Sequence, residues 1–159
     1  MKLKTLFFTL LLVGTACVFL AGGLQAGTEV ADVIKMENPA YEHTKGIVEF
    51  THKKHVEEYD ASCGDCHHDD KGQPLTDLKW GDDVQNCIEC HTKPGEVPTD
   101  LKKEWREKKI KRDEKKKLEL EYHAEALHAN CIDCHKDWNR ENKTKAAPTS
   151  CSKCHPKTD

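Results

Sequence analysis

The pentapeptide Cys-x-x-Cys-His occurs four times in this chain of 159 residues, and the repeat constrains the fold more than any other feature. The copies span Cys63–His67, Cys87–His91, Cys131–His135 and Cys151–His155. Two thiols separated by two residues can bond to the two vinyl groups of one porphyrin, and the next histidine can then bind its iron. Each copy is therefore predicted to attach one c-type haem, four haem c groups in all. The predicted attachment residues are Cys63, Cys66, Cys87, Cys90, Cys131, Cys134, Cys151 and Cys154.

Paired cysteines also occur in zinc sites, structural disulfides and dithiol redox centres. Zinc is the strongest of these alternatives, because 20 residues separate Cys66 from Cys87 and 16 separate Cys134 from Cys151. Both gaps fall in or near the range of zinc ribbons. None of the three uses requires a histidine after the second cysteine of every pair, so the pattern favours haem.

The first 26 residues have the three-part layout of a secretory signal peptide. Lys2 and Lys4 precede an uncharged, largely apolar run over residues 5–20, and small residues then lead to Ala26. This layout predicts export to the periplasm with cleavage near Ala26, and membrane association only through partners. An uncleaved membrane anchor and a lipid-bearing Cys17, the ninth cysteine, are the alternatives.

The remaining 133 residues contain only 18 Leu, Ile, Val and Phe, a share typical of chains that stay disordered. Such a chain cannot bury enough apolar surface to offset its conformational entropy. The haems are therefore predicted to form the core. We expect a polar leader over residues 27–46, then one mainly α-helical domain over residues 47–159 with much irregular chain. A short strand is predicted over 47–50.

A charged segment over residues 100–128, inserted before the third motif, is predicted to be one long helix. Within it, residues 102–117 hold ten Lys or Arg against four acids, whereas the chain after residue 26 has a net charge of −5. Such a run is either a solvated helix face or a basic docking surface. No nucleic-acid partner is expected for an exported haem protein. The apolar residues of the second half are predicted to lie against a haem: Leu118, Leu120, Tyr122 and Leu127.

The histidine count decides how the irons can be ligated. Four haems with two histidine ligands each need eight histidines, and the chain has ten. The four that end the motifs are the proximal candidates: His67, His91, His135 and His155. The six others are His43, His52, His55, His68, His123 and His128, of which His43 is predicted to be an ordinary surface residue.

The segment from Phe50 to His55, Phe-Thr-His-Lys-Lys-His, followed by the first motif and His68, resembles the start of the class III multihaem cytochromes, the tetrahaem cytochrome c3 family. The resemblance runs from about residue 47 to 155, and it places Phe50 between two haems. It implies three axial pairs: His67 with His52, His91 with His68, and His135 with His55. Some relatives place a distal ligand three residues before a motif, which here pairs His155 with His128; His123 is the alternative.

Many family members have four residues between the cysteines of the second and fourth motifs, whereas this chain has two in every motif. Its acidic balance resembles the acidic, membrane-complex-associated branch. The resemblance implies a low-potential periplasmic electron carrier, not an enzyme. Its implied partners are a periplasmic hydrogenase or formate dehydrogenase and a membrane redox complex of anaerobic respiration. The alternatives are a multihaem reductase with one open-site haem and a fixed subunit of a membrane complex.

Overall fold

The structure is a computed structural model that describes residues 29–157. The predicted signal peptide and Cys17 lie outside the described residues. Between residues 29 and 157, no helix is both long enough and apolar enough to cross a bilayer.

Short helices joined by irregular chain dominate the described residues, which confirms the predicted fold class. The strands are β1 (Ile34–Lys35) and β2 (Glu49–Phe50). The α-helices are α1 (His52–Glu57), α2 (Cys87–Cys90), α3 (Thr99–Glu107), α4 (Arg112–Leu120), α5 (His123–His128), α6 (Cys134–Glu141) and α7 (Cys151–Cys154). A 3₁₀ turn covers Cys63–Asp65, and a π-helical turn at Ala129–Asp133 joins α5 to α6.

The predicted strand exists, and its partner comes from the leader. β2 pairs antiparallel with β1, with Ile34 opposite Phe50 and Lys35 opposite Glu49. The polar leader therefore contributes one of the two strands, a pairing that the sequence analysis did not predict. Because α1 begins two residues after Phe50, this small sheet fixes where the first histidines of the chain lie.

The charged segment is not one long helix, which corrects the prediction. α3 ends in a Schellman motif: the N–H of Ile110 donates to the Trp105 carbonyl (3.0 Å), and the N–H of Lys109 donates to the Arg106 carbonyl (3.1 Å). Lys109 has a φ of 52°, the left-handed conformation that this motif requires. The chain therefore leaves the helix before α4 begins, and we call residues 99–120 the basic hairpin.

An apolar cluster lies between the basic hairpin and the residues that flank it. Val97, Trp105 and Tyr122 are buried, with 4%, 7% and 9% of their surfaces exposed. Three partly buried residues pack against them: Leu101, Ile110 and Leu118. Tyr122 and Leu118 belong to this cluster, and their predicted contact with a haem stays a prediction. Residues 102–117 are therefore not only a solvated helix face, because Trp105 within them is buried.

Backbone hydrogen bonds join the end of the basic hairpin to the segment after the second motif. The N–H of Lys93 donates to the Glu121 carbonyl (2.9 Å), and the N–H of His123 donates to the Lys93 carbonyl (2.8 Å). The N–H of Ala124 donates to the Gly95 carbonyl (3.0 Å). The hairpin is therefore anchored beside the second motif.

Candidate haem-binding site

Three of the four motifs form a single helical turn. In each, the N–H of the histidine donates to the carbonyl of the first cysteine, at 2.9 Å for His67, 2.9 Å for His91 and 2.8 Å for His155. Residues three apart in such a turn lie on one side, so both thiols of a motif point to one face. The third motif differs, because it crosses from the π-helical turn into α6.

Two of these turns begin with a capping box that the sequence analysis did not single out. The Asp65 carboxylate accepts from the N–H of Ser62 (2.8 Å), and the Glu89 carboxylate accepts from the N–H of Asn86 (3.3 Å). The signal was present in the sequence, as Ser-x-x-Asp and Asn-x-x-Glu across the start of each motif. The variable residues of these two motifs therefore fix the turn that presents the thiols.

No motif cysteine forms a disulfide within residues 29–157. Desolvation, followed by the neighbouring thiols Cys131 and Cys134, raises the pKa of Cys66 to about 11. Desolvation also raises the pKa of four further thiols: Cys87, Cys131, Cys134 and Cys154. A redox-active dithiol needs a depressed thiol pKa, so these surroundings argue against dithiol chemistry.

The structure brings together the same four histidine pairs that the sequence analysis predicted. We number the pairs by the motif whose histidine they contain, and give the distance between the two ring centroids of each. They are the first pair, His52 with His67 (6.4 Å); the second, His68 with His91 (5.9 Å); the third, His55 with His135 (6.2 Å); and the fourth, His128 with His155 (6.2 Å).

These separations fit one metal ion between two imidazoles. An imidazole nitrogen binds a transition metal at about 2.0–2.1 Å, and its ring centroid lies roughly 1.1 Å behind it, so two opposed rings have centroids about 6.2–6.4 Å apart. Three pairs fall in this range, and the second pair is a few tenths of an ångström shorter. Two facing rings with a cysteine pair beside one of them form a donor set that suits a covalent haem.

Backbone carbonyls fix the tautomer of five of the eight rings. Four of these rings place Nδ1 within hydrogen-bond distance of a backbone carbonyl oxygen. The contacts are His55 to Thr51 (2.8 Å), His68 to Asp69 (2.8 Å), His135 to Pro148 (2.7 Å) and His155 to Gly46 (2.8 Å). Nδ1 of His91 contacts the Leu120 carbonyl, at the end of α4. A carbonyl oxygen only accepts, so each Nδ1 carries the proton and each Nε2 keeps a lone pair for a metal.

The first pair is held differently. The His52 ring stacks on Trp80, with centroids 4.8 Å apart and planes inclined by 28°. Its Nδ1 is buried and has no hydrogen-bond partner among the described residues. Burial, then the charge of His55, lowers the pKa of His52; burial, then the charges of His52 and His68, lowers that of His67. Both rings are therefore kept neutral, as metal ligands must be.

The two remaining histidines have other partners. His123 is buried, with 7% of its surface exposed, and its Nδ1 lies 3.0 Å from the Tyr41 hydroxyl. Nε2 of His43 accepts from the N–H of Asn38 (3.0 Å). His128, the predicted fourth distal ligand, instead faces His155, and its Nδ1 lies 4.0 Å from the Glu96 carboxylate. The geometry therefore favours His128 over His123 for the fourth pair.

The leader supports the fourth pair, a role that the sequence analysis missed. The Gly46 carbonyl accepts from His155, and a Cβ atom on Gly46 would lie 2.2 Å from the Pro156 carbonyl oxygen. Only glycine allows this approach, so Gly46 is needed for close packing rather than for an unusual φ. A lone glycine in a polar segment was too weak a signal to predict it.

Phe50 lies beside two of the paired rings. Its ring centroid is 4.6 Å from that of His55 and 5.6 Å from that of His52. These histidines belong to the third and the first pair, so Phe50 contacts one ring of each, and its place between two haems stays a prediction.

A family model, the class III cytochrome c family, matches residues 28–155. The chain belongs to this family. The match includes all four motifs and all eight paired histidines, and it establishes covalent haem c as the cofactor type and multihaem electron transfer as the general activity. Class III cytochromes are electron carriers and are typically periplasmic. No curated protein and no solved structure gave a significant match.

Proposed function

We propose that this class III cytochrome is a low-potential periplasmic electron carrier with four haem c groups, each ligated by two histidines. One observation carries the proposal: within each of the four histidine pairs the ring centroids lie 5.9–6.4 Å apart, close to the separation of about 6.2–6.4 Å expected across a single iron. Every pair includes the histidine that ends one motif, so each pair has its own two thiols for covalent attachment.

The paired histidines determine what the site can do. When bound, a haem exchanges single electrons, and bis-histidine ligation keeps its reduction potential low. With an imidazole on each side, no coordination position is left for oxygen, peroxide or nitrite. The Nδ1–H bonds to carbonyls hold the rings in orientation and increase the basicity of the ligating nitrogen. The arrangement therefore supports electron transfer instead of substrate reduction.

Intact mass and iron spin state test this proposal together. The mature holoprotein should weigh the polypeptide plus four haems, and all four irons should be low-spin in both oxidation states. Carbon monoxide should bind little to the reduced protein. A stoichiometric high-spin signal from one iron would instead support the reductase alternative, and a missing haem would contradict the count of four.

As partners we propose a periplasmic hydrogenase or formate dehydrogenase as donor and a membrane redox complex as acceptor. The family resemblance and the acidic balance of the chain support this assignment. The basic hairpin adds a surface for one of these contacts. Five of its ten basic residues are exposed and form no ion pair with any residue in 29–157: Arg106, Lys109, Lys111, Arg112 and Lys117.

The positions of these five residues favour docking over simple solvation. Three of them, Lys109, Lys111 and Arg112, lie at the turn that joins α3 to α4 and project an uncompensated charge from the tip. The other basic residues are partly neutralised, as when Lys102 pairs with Glu125 (2.7 Å). A partner with an acidic surface would therefore meet the tip first.

A further inference from the structure

The four histidine pairs differ in the partners of their Nδ1 atoms. In the second and third pairs, both rings donate to backbone carbonyls. In the fourth pair one ring donates to a carbonyl and the other lies near a carboxylate. In the first pair, Nδ1 of His52 is buried and has no acceptor within residues 29–157. The first pair is thus the exception.

We propose that the iron position between His52 and His67 has the highest reduction potential of the four, and that Trp80 maintains this difference. The inference rests on the proposed function, because it requires an iron at each pair. It assigns the first pair as the position where an electron entering the protein settles first.

The chemical reason is the amount of electron density that each imidazole can donate to its iron. Donation from Nδ1–H to a carbonyl makes the ligating nitrogen more basic, which stabilises ferric iron and lowers its potential. Without that donation, ferrous iron is relatively favoured. One electron then leaves the donor and converts this position from ferric to ferrous, and neither histidine gains or loses a proton.

Trp80 explains how the unpaired Nδ1 of His52 persists. A buried donor without an acceptor is unfavourable and invites a water molecule. The Trp80 indole stacks on the His52 ring and holds it by dispersion and ring–ring contact. About half of Trp80 remains covered, with 43% of its surface exposed. Trp80 is therefore a positioning residue that acts through His52 and keeps water from its Nδ1.

A redox titration that resolves individual haems tests the ordering. Haem methyl resonances in NMR spectra of partly reduced holoprotein give the fraction of each haem that is reduced. Contacts from the methyl protons to the Trp80 ring identify the first haem. We expect that haem to be reduced first as the solution potential falls. If any other haem is reduced first, the ordering is refuted.

Variants at Trp80 test the mechanism. Trp80→Ala should admit water to His52 Nδ1 and lower the potential of the first haem relative to the other three. Trp80→Phe should keep the wild-type order, and so should Trp138→Ala, which removes an equally exposed tryptophan (42%) from α6. An unchanged first potential in Trp80→Ala would refute the role of Trp80.

The spectra separate this inference from the proposed function. Four low-spin haems with a different order of reduction would refute the inference alone. Fewer than four low-spin haems would contradict the proposed function first.

Discussion

Replacing Trp105 by alanine should unfold the basic hairpin locally. Trp105 is 7% exposed and is the largest member of the apolar cluster. Tryptophan buries roughly 150–250 Å², worth about 4–6 kcal/mol at ~25 cal/mol/Å², and tryptophan-to-alanine changes in cores cost about 3–5 kcal/mol. Val97 and Tyr122 are the only other buried residues of this cluster, so few contacts could compensate for the loss of Trp105.

Hydrogen exchange of the holoprotein is the assay for this loss. The N–H of Ile110, bonded to the Trp105 carbonyl, should lose most of its protection in Trp105→Ala. The Soret band should stay that of low-spin haem, because no motif cysteine or paired histidine lies in the hairpin, and any shift should be confined to the second haem, whose His91 donates to the Leu120 carbonyl. Trp105→Phe should retain much of the protection, and Trp138→Ala is the matched exposed control. If Ile110 keeps its protection in Trp105→Ala, the cluster does not hold the hairpin together.

Three further predictions address the ligands, the surface and pH. His128→Ala should convert one iron to high-spin, whereas His123→Ala should leave all four low-spin by electron paramagnetic resonance; the reverse outcome would reassign the ligand. Neutralising the unpaired Lys109, Lys111 and Lys117 to Gln should slow electron transfer with an acidic partner and reduce its salt dependence. The same change at three ion-paired lysines, Lys103, Lys108 and Lys115, should slow electron transfer less. If both triple variants slow it equally, only the net charge of the protein matters. Burial, then the charges of His91 and His43, lowers the pKa of His123. The unfolded chain then binds the proton more readily, so stability should fall as pH drops below about 6.5, and His123→Gln should weaken that dependence in thermal melts.

The family resemblance implied which rings would meet, whereas the spacing of the motifs alone located candidate ligands without pairing them. Local reasoning failed for the charged segment. Its helix-forming residues favour one helix, but Ile110 packs back on Trp105 and closes a Schellman motif at Lys109. Tertiary burial of a few apolar residues overrode helix propensity there.

Contacts between distant segments could not be predicted from spacing. Tyr41 meets His123 across 82 positions of sequence, and Gly46 meets His155 across 109. No periodic pattern connects such residues, and a single tyrosine or glycine in a polar leader fits many surroundings equally well. For the same reason, Trp80 gave no sign in the sequence that it would stack on His52.

Three local elements each connect two of the four histidine pairs. α1 carries His52 and His55, which belong to the first and third pairs, and the adjacent His67 and His68 connect the first pair to the second. The continuous helical run from α5 to α6 carries the fourth and third pairs, seven residues apart, or roughly 10 Å at 1.5 Å per residue. Under the proposed ligation, these links order the irons as second, first, third, fourth. Electron tunnelling rates fall steeply with distance. Because single helices and one dipeptide set the distances between neighbouring irons, the rate of each transfer would stay constant even while the surrounding loops fluctuate.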